Sequence, residues 1–153
     1  MKKVFHLTKE GVAELRSEHD ERVALRSEIA DRIRSARELG DLAENAEYAS
    51  ARLEQEQNES RIAEVEHILQ NVSLIKVTKG DTKVRLGSTV ILKGKSGKTK
   101  EFQVVGTVEA DPLSGKISDE SPIGKALLGK KVGDKVEIKT PAETAHYSVV
   151  EIK

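Results

Sequence analysis

Three carboxylates stand close together in the stretch Gly40-Asp41-Leu42-Ala43-Glu44-Asn45-Ala46-Glu47-Tyr48. Asp41 and Glu44 lie three residues apart, and Glu47 follows one helical turn later. At that spacing on a helix the side chains converge on one side. Mg²⁺ takes oxygen ligands, often one or two carboxylates, and completes its shell with water and phosphate. The stretch therefore presents half of a metal site, with something else supplying the rest. A plainer reading competes. Asp-x-x-Glu before a helix is also a capping box, with Asp41 as N-cap and Glu44 at the third helical position. The two roles are compatible. Leu42 beside them either packs on Ala46 and Leu39 or touches a partner.

The elements that must carry this stretch are long helices. Residues 1–75 contain no Pro, and Gly only at Gly11 and Gly40. Ala, Glu, Arg and Leu dominate, all strong helix formers. Thr8 reads as an N-cap, with Glu10 favoured in the first turn. From there Val12, Leu15, His19, Arg22, Arg26, Ile29, Ile33 and Ala36 follow 3-4 spacing, a heptad seam with a polar middle. Val23, Leu25 and Ala30 fall off it. Gly40 breaks the helix, and a second helix is expected from about Asn45 to Val72. Its early apolar stripe reads as Ala46, Ala49 and Leu53, and its late one as Ile62, Val65, Leu69 and Val72. The two stripes differ in register, which predicts a stutter near residues 54–60. Two such helices joined by a short turn form an antiparallel hairpin. Each would extend ~42–45 Å.

The composition then changes. Residues 1–75 hold 11 basic and 16 acidic side chains, a net of −5, whereas residues 76–153 hold 15 and 10, a net of +5. Opposite signs suggest two modules with different surfaces. Thr78-Lys79-Gly80-Asp81 reads as a linker. Beyond it, residues 89–92, 102–105, 135–138 and 147–150 are strand candidates. Lys95-Ser96-Gly97-Lys98 is a hairpin turn, and Asp111-Pro112 and Ser114-Gly115 mark another bend. Pro122 to Leu128 is a short helix capped by Ser121, with Pro in its first position. The fold class expected is α+β. A two-helix coiled-coil hairpin (1–76) and a linker (77–83) precede a small antiparallel-sheet domain with one short helix (84–153).

Several classes of function fall away. The chain has no Cys, so disulfides, thiolate metal sites and a Cys nucleophile are excluded. No apolar run approaches the ~20 residues of a membrane span. The N-terminus Met1-Lys2-Lys3-Val4-Phe5-His6 lacks the apolar stretch of a signal peptide, so a cytoplasmic protein without a membrane partner is expected. His19 and His67 would lie about a turn apart across the expected hairpin, but two His without a third ligand make a poor metal site, and polar seam contacts are expected instead. Lys93, Lys95, Lys98 and Lys100 read as a solvated hairpin rather than a nucleic-acid contact.

The string at 40–48, with Arg52, Glu59-Ser60-Arg61-Ile62 and the N-terminal Leu7-Thr8-Lys9-Glu10-Gly11, resembles the Gre family of transcript cleavage factors, the GreA type most closely. The run from Ile117 to Lys130, continued by Val136 to Pro141, resembles the family's second signature. The likeness covers nearly the whole chain. It implies an FKBP-like C-terminal domain that docks at the rim of the secondary channel of bacterial RNA polymerase. It implies a hairpin that enters the channel and stimulates cleavage of backtracked nascent RNA. The factor would not be an enzyme itself but a cofactor-like stimulator of the polymerase's own activity. By position, Asp41 and Glu44 would be the tip acids that help hold a second Mg²⁺ shared with the polymerase, the chain having no cofactor of its own. Arg37 and Arg52 would face the nascent RNA 3′ end, and Glu120, Ser121 and Pro122 would form the polymerase-docking loop. Without the likeness, each arginine is equally a coil-surface ion pair, and the loop a simple helix start.

One departure stands out: at Glu56-Gln57-Asn58 the family usually has Gly and apolar residues. The alternative within this family is a channel-binding regulator without cleavage activity, in which an altered tip would be expected. Outside it, a prolyl isomerase would need an aromatic-lined apolar pocket, and only Phe102 and Tyr147 are available in that half. A coiled-coil adaptor would dimerise through its helices, whereas the cleavage reading expects a monomer.

Overall fold

The computed structural model describes residues 3–76, 82–139 and 141–153. Most of the expected linker, residues 77–81, lies outside the described residues. In chain order the elements are β1 (Phe5–Leu7), α1 (Lys9–Arg37), a 3-10 turn (Leu42–Glu44), α2 (Ala46–Gln70), β2 (Val72–Leu74), β3 (Thr89–Gly94) and β4 (Thr99–Val105). Two further 3-10 turns (Thr107–Glu109, Pro112–Ser114) lead to β5 (Lys116–Ser118), α3 (Pro122–Leu127), β6 (Lys135–Lys139) and β7 (Thr144–Ile152). The chain forms two compact units, one of Val12–Asn71, the other of Lys3–Gly11 with Val72–Lys153.

The first unit is the helical hairpin. Its cross-helix contacts run Glu18 to Arg61, Arg22 to Asn58, Arg26 to Glu59 and Arg32 to Glu54. From Glu18–Arg61 to Arg32–Glu54 the partner moves back along α2 as its mate moves forward along α1, so the helices are antiparallel. The α1 seam is as expected: Val12, Leu15, Ile29, Ile33 and Ala36 are buried, while Val23 and Leu25 are exposed. The α2 seam differs from expectation. Leu53 is 55% exposed, and Ala46 and Ala49 also face outward. The inward side chains are Tyr48, Ala51, Asn58, Ile62, Val65 and Ile68. That is one continuous register, and the expected stutter is not needed.

The reason is Asn58, a polar residue occupying a seam position. It is 4% exposed, and its Nδ2 donates to the Arg22 carbonyl at 2.9 Å while its Oδ1 accepts from Arg22 Nη1 at 3.3 Å. A buried amide satisfied in this way fixes which residues face each other across the seam. The middle of the hairpin is further tied by Glu18, which accepts from Arg61 at 2.8 and 2.9 Å and from Arg22 at 2.8 Å.

The second unit has a five-stranded sheet of order β5-β4-β3-β7-β6, antiparallel except where β5 runs parallel to β4. Alternation explains the strands: in β6, Val136 and Ile138 point inward and Lys135, Glu137 and Lys139 outward. The core holds Val90, Leu92, Val104, Ile117, Leu127, Val136, Ile138 and Val149. A separate parallel pair, β1 with β2, brings residues 5–7 beside 72–74. Next to it the N-terminus of α1 is capped as expected, with Thr8 Oγ1 accepting from the Gly11 N–H at 3.1 Å. The Glu109 carboxylate accepts from both the Thr8 N–H, at 2.9 Å, and the Thr8 hydroxyl. It fills the space that a side chain at Gly11 would need.

Candidate functional site

The turn of the hairpin is built from three residues with separate tasks. α1 ends at Arg37, and Gly40 takes φ +124°, a left-handed value that disfavours any side chain even though the space around it is open. Asp41 then caps the 3-10 turn: its Oδ1 accepts from the Ala43 N–H at 3.0 Å. Asn45 caps α2, its Oδ1 accepting from the Tyr48 N–H at 3.0 Å. The Asn45 Nδ2 also donates to the Ala36 carbonyl at 2.6 Å, which ties the start of α2 to the end of α1.

This corrects the expected capping box. Asp41 is an N-cap, but of the short turn, and the cap of α2 is Asn45. The physical reason is the 3-10 turn over Leu42–Glu44, which closes on itself through Glu44 N–H to Asp41 C=O at 3.4 Å. Glu44 is thereby excluded from the reciprocal capping role, and its carboxylate bonds no other described residue.

The consequence is a concentration of uncompensated negative charge. Asp41, Glu44 and Glu47 are all exposed, and none has a cationic partner within ion-pair distance among the described residues. Asp41 spends only one of its two oxygens on the cap. Leu42 and Leu39 are 47% and 67% exposed, so the apolar side chains here are not consumed by local packing. Beside them lies an open groove of about 600 Å³, with Ala36, Leu39, Ala46 and Ala51 on its floor and the Arg32–Glu54 pair at its rim.

As donors, the carboxylates suit a hard cation. They do not complete a site: no three His, Asp or Glu side chains among the described residues are placed to hold a metal ion together. His19 is engaged otherwise, with Nε2 2.8 Å from Glu66, which raises its pKa, and Asp20 adds to the effect.

The sequence singled out Arg37 and Arg52, and neither makes an ion pair among the described residues. The Arg37 guanidinium lies 5.8 Å from the centroid of the Tyr48 ring, and Arg52 donates to Gln55 Oε1 at 2.6 Å. Glu120, Ser121 and Pro122 lie in the second unit at the start of α3. Ser121 Oγ accepts from the Gly124 N–H at 3.1 Å and donates to the Ser118 carbonyl at 2.6 Å. Glu120 accepts from Thr107 at 3.1 Å, and Pro122 is exposed at the first helical position. The loop is thus a hydrogen-bonded cap with Glu120 and Pro122 on the surface. Sequence reasoning overlooked Asn45 and Tyr48, although an Asn three residues before a helical residue is a capping signal.

Among the described residues no helix is long and apolar enough to cross a membrane. Residues 5–74 match the family model described as transcription elongation factor, N-terminal, and residues 79–153 match that described as transcription elongation factor, GreA/GreB, C-term. The chain is 44% identical to transcription elongation factor GreA of Thermotoga maritima, over 99% of this chain and 98% of that one. It is 47% identical to transcription elongation factor GreA of Acholeplasma laidlawii, over 99% and 96%. Among solved structures, GreA factor homolog 1 of Thermus thermophilus is 32% identical over 99% of both chains, with a TM-score of 0.46.

Proposed function

Because the chain belongs to the GreA/GreB family of transcription elongation factors, we propose that its hairpin enters the secondary channel of RNA polymerase and stimulates cleavage of backtracked RNA. The observation that carries this reading is the uncompensated pair Asp41 and Glu44 at the turn of a long two-helix hairpin. α1 alone has 29 residues, or ~44 Å of helix. Such an arm delivers charge to a place that a globular surface does not reach.

In this reading Asp41 and Glu44 would hold a Mg²⁺ ion jointly with carboxylates of the polymerase, which accounts for a donor set that is incomplete in this chain. When bound there, the metal would supply a polarised water and charge neutralisation for phosphodiester hydrolysis. The chain's own residues do the rest. The Ala43 N–H holds one oxygen of the exposed Asp41 carboxylate. Glu44, in the 3-10 turn before α2, is exposed. Arg37 and Arg52 contact phosphates of the extruded RNA, for which planar guanidinium donors are suited. Glu120 and Pro122 meet the polymerase at the channel rim. The factor acts as a monomer in the cytoplasm and is not itself a complete nuclease. An intact acidic tip favours this over a channel-binding regulator that lacks cleavage activity.

The test is direct. Purified polymerase halted in a backtracked state, given this protein and Mg²⁺, releases short 3′ RNA fragments and resumes elongation. Binding without fragment release would instead support the non-cleaving regulator.

A further inference from the structure

The arginines of the hairpin divide by what they touch. Arg22, Arg26, Arg32, Arg34 and Arg61 each have a carboxylate oxygen between 2.5 and 3.2 Å away. Arg16, early in α1, and Arg37 and Arg52, on either side of the turn, have none among the described residues. For Arg37 the difference has a visible cause. Its guanidinium lies over the ring of Tyr48, 5.8 Å from the centroid, within the ~6 Å over which a ring face attracts a cation.

The ring is itself held in place. Tyr48 packs against Ile29, Ile33 and Ala51, and its backbone N–H is bound by the Asn45 cap. Asn45 also holds the carbonyl of Ala36, the residue before Arg37. Both partners of the contact are therefore anchored at their bases.

The chemistry of the contact matters at this position. A bidentate carboxylate would occupy the guanidinium N–H donors and cancel the charge. An aromatic face attracts the cation without using its in-plane donors. It also keeps the cation from swinging onto Glu44 or Glu47, which would neutralise the acidic tip. We infer that Tyr48 is a positioning residue: its ring holds the Arg37 guanidinium apart from the tip carboxylates, with its N–H donors free for a phosphate of the RNA. The identity of that phosphate rests on the polymerase reading; the Arg37–Tyr48 contact does not.

Two variants of the full chain test this. Tyr48→Phe keeps the ring, and Tyr48→Leu keeps the buried apolar volume without it. In NMR spectra of the free protein, ring current shifts the Arg37 side-chain protons upfield in wild type and Tyr48→Phe, and the shift disappears in Tyr48→Leu. In the cleavage assay at saturating protein, Tyr48→Leu slows the reaction roughly two- to fivefold, the range an exposed cation–π contact of this kind supports. The concentration for half-maximal effect stays put, Tyr48→Phe behaves as wild type, and Tyr48→Leu adds nothing in an Arg37→Ala background. An Arg37 shift that is unchanged in Tyr48→Leu overturns the inference without touching the polymerase reading. So do independent, additive losses from Tyr48→Leu and Arg37→Ala. If wild type released no RNA, the polymerase reading would fall and take the phosphate with it, while the NMR comparison would still decide the contact.

Discussion

Replacing Glu18 with Gln keeps the size of the side chain and removes the charge on which the middle of the hairpin is organised. The Glu18 carboxylate accepts two hydrogen bonds from Arg61 and one from Arg22. The Arg61 bonds lower its pKa most, burial pushes the other way, and Arg22 adds to the lowering. The group comes to rest at about 2, against 4.5 for an ordinary glutamate. Counted in full, at about 1.4 kcal/mol for each tenfold change in proton affinity, the displacement is worth roughly 3 kcal/mol. The side chain is 27% exposed, and ordering two arginines carries its own entropic cost. Solvent screening brings the expected contribution down to about 1–2 kcal/mol. A carboxylate with a lowered pKa stabilises the fold fully above its unfolded value. That stabilisation fades as pH falls from 4.5 toward 2. Urea unfolding followed by helical ellipticity should therefore place Glu18→Gln about 1–2 kcal/mol below wild type at neutral pH, with the gap closing through that acidic window. Equal stabilities at neutral pH, or a gap indifferent to pH, would refute the reasoning.

Other outcomes follow from the same contacts. Asn45→Ala removes the cap of α2 and the link to Ala36, and should cost about 1–2 kcal/mol in the same unfolding measurement. Gly106→Ala would place a Cβ 2.2 Å from the His6 carbonyl oxygen, which is backbone of β1 and cannot rotate away. A loss of about 2–3 kcal/mol is expected, together with faster hydrogen exchange in β1 and β2.

Sequence patterning exposed some of this and hid the rest for identifiable reasons. The α1 seam was legible because its apolar residues, from Val12 to Ala36, sit on the buried face. The α2 seam was not, because Ala46, Ala49 and Leu53 are apolar yet outward, while the true seam passes through Tyr48 and the buried amide of Asn58. Hydrophobicity alone ranks those residues in the wrong order. The longer strands declared themselves as short β-rich runs, with clear alternation in β3 and β6 but not in β4. By contrast β1, β2 and β5 have three residues each, too few to carry a period, and their partners are distant in sequence. At the turn the acidic spacing was plain, but the division of capping between Asp41 and Asn45 depends on a 3-10 turn that no spacing rule separates from the first turn of a helix.

The central claim concerns the charge at the turn, separated from its shape. The double variant Asp41→Asn, Glu44→Gln retains side-chain oxygens for the cap at Ala43 and removes both negative charges. Compared with wild type on backtracked RNA polymerase, it should show the same helical content and the same affinity for the enzyme. Its rate of RNA cleavage should fall by about a hundredfold or more, the scale on which losing electrostatic stabilisation at a reacting centre is felt. Cleavage at the wild-type rate by that variant would mean the two carboxylates do nothing beyond capping a turn, and the account would be wrong.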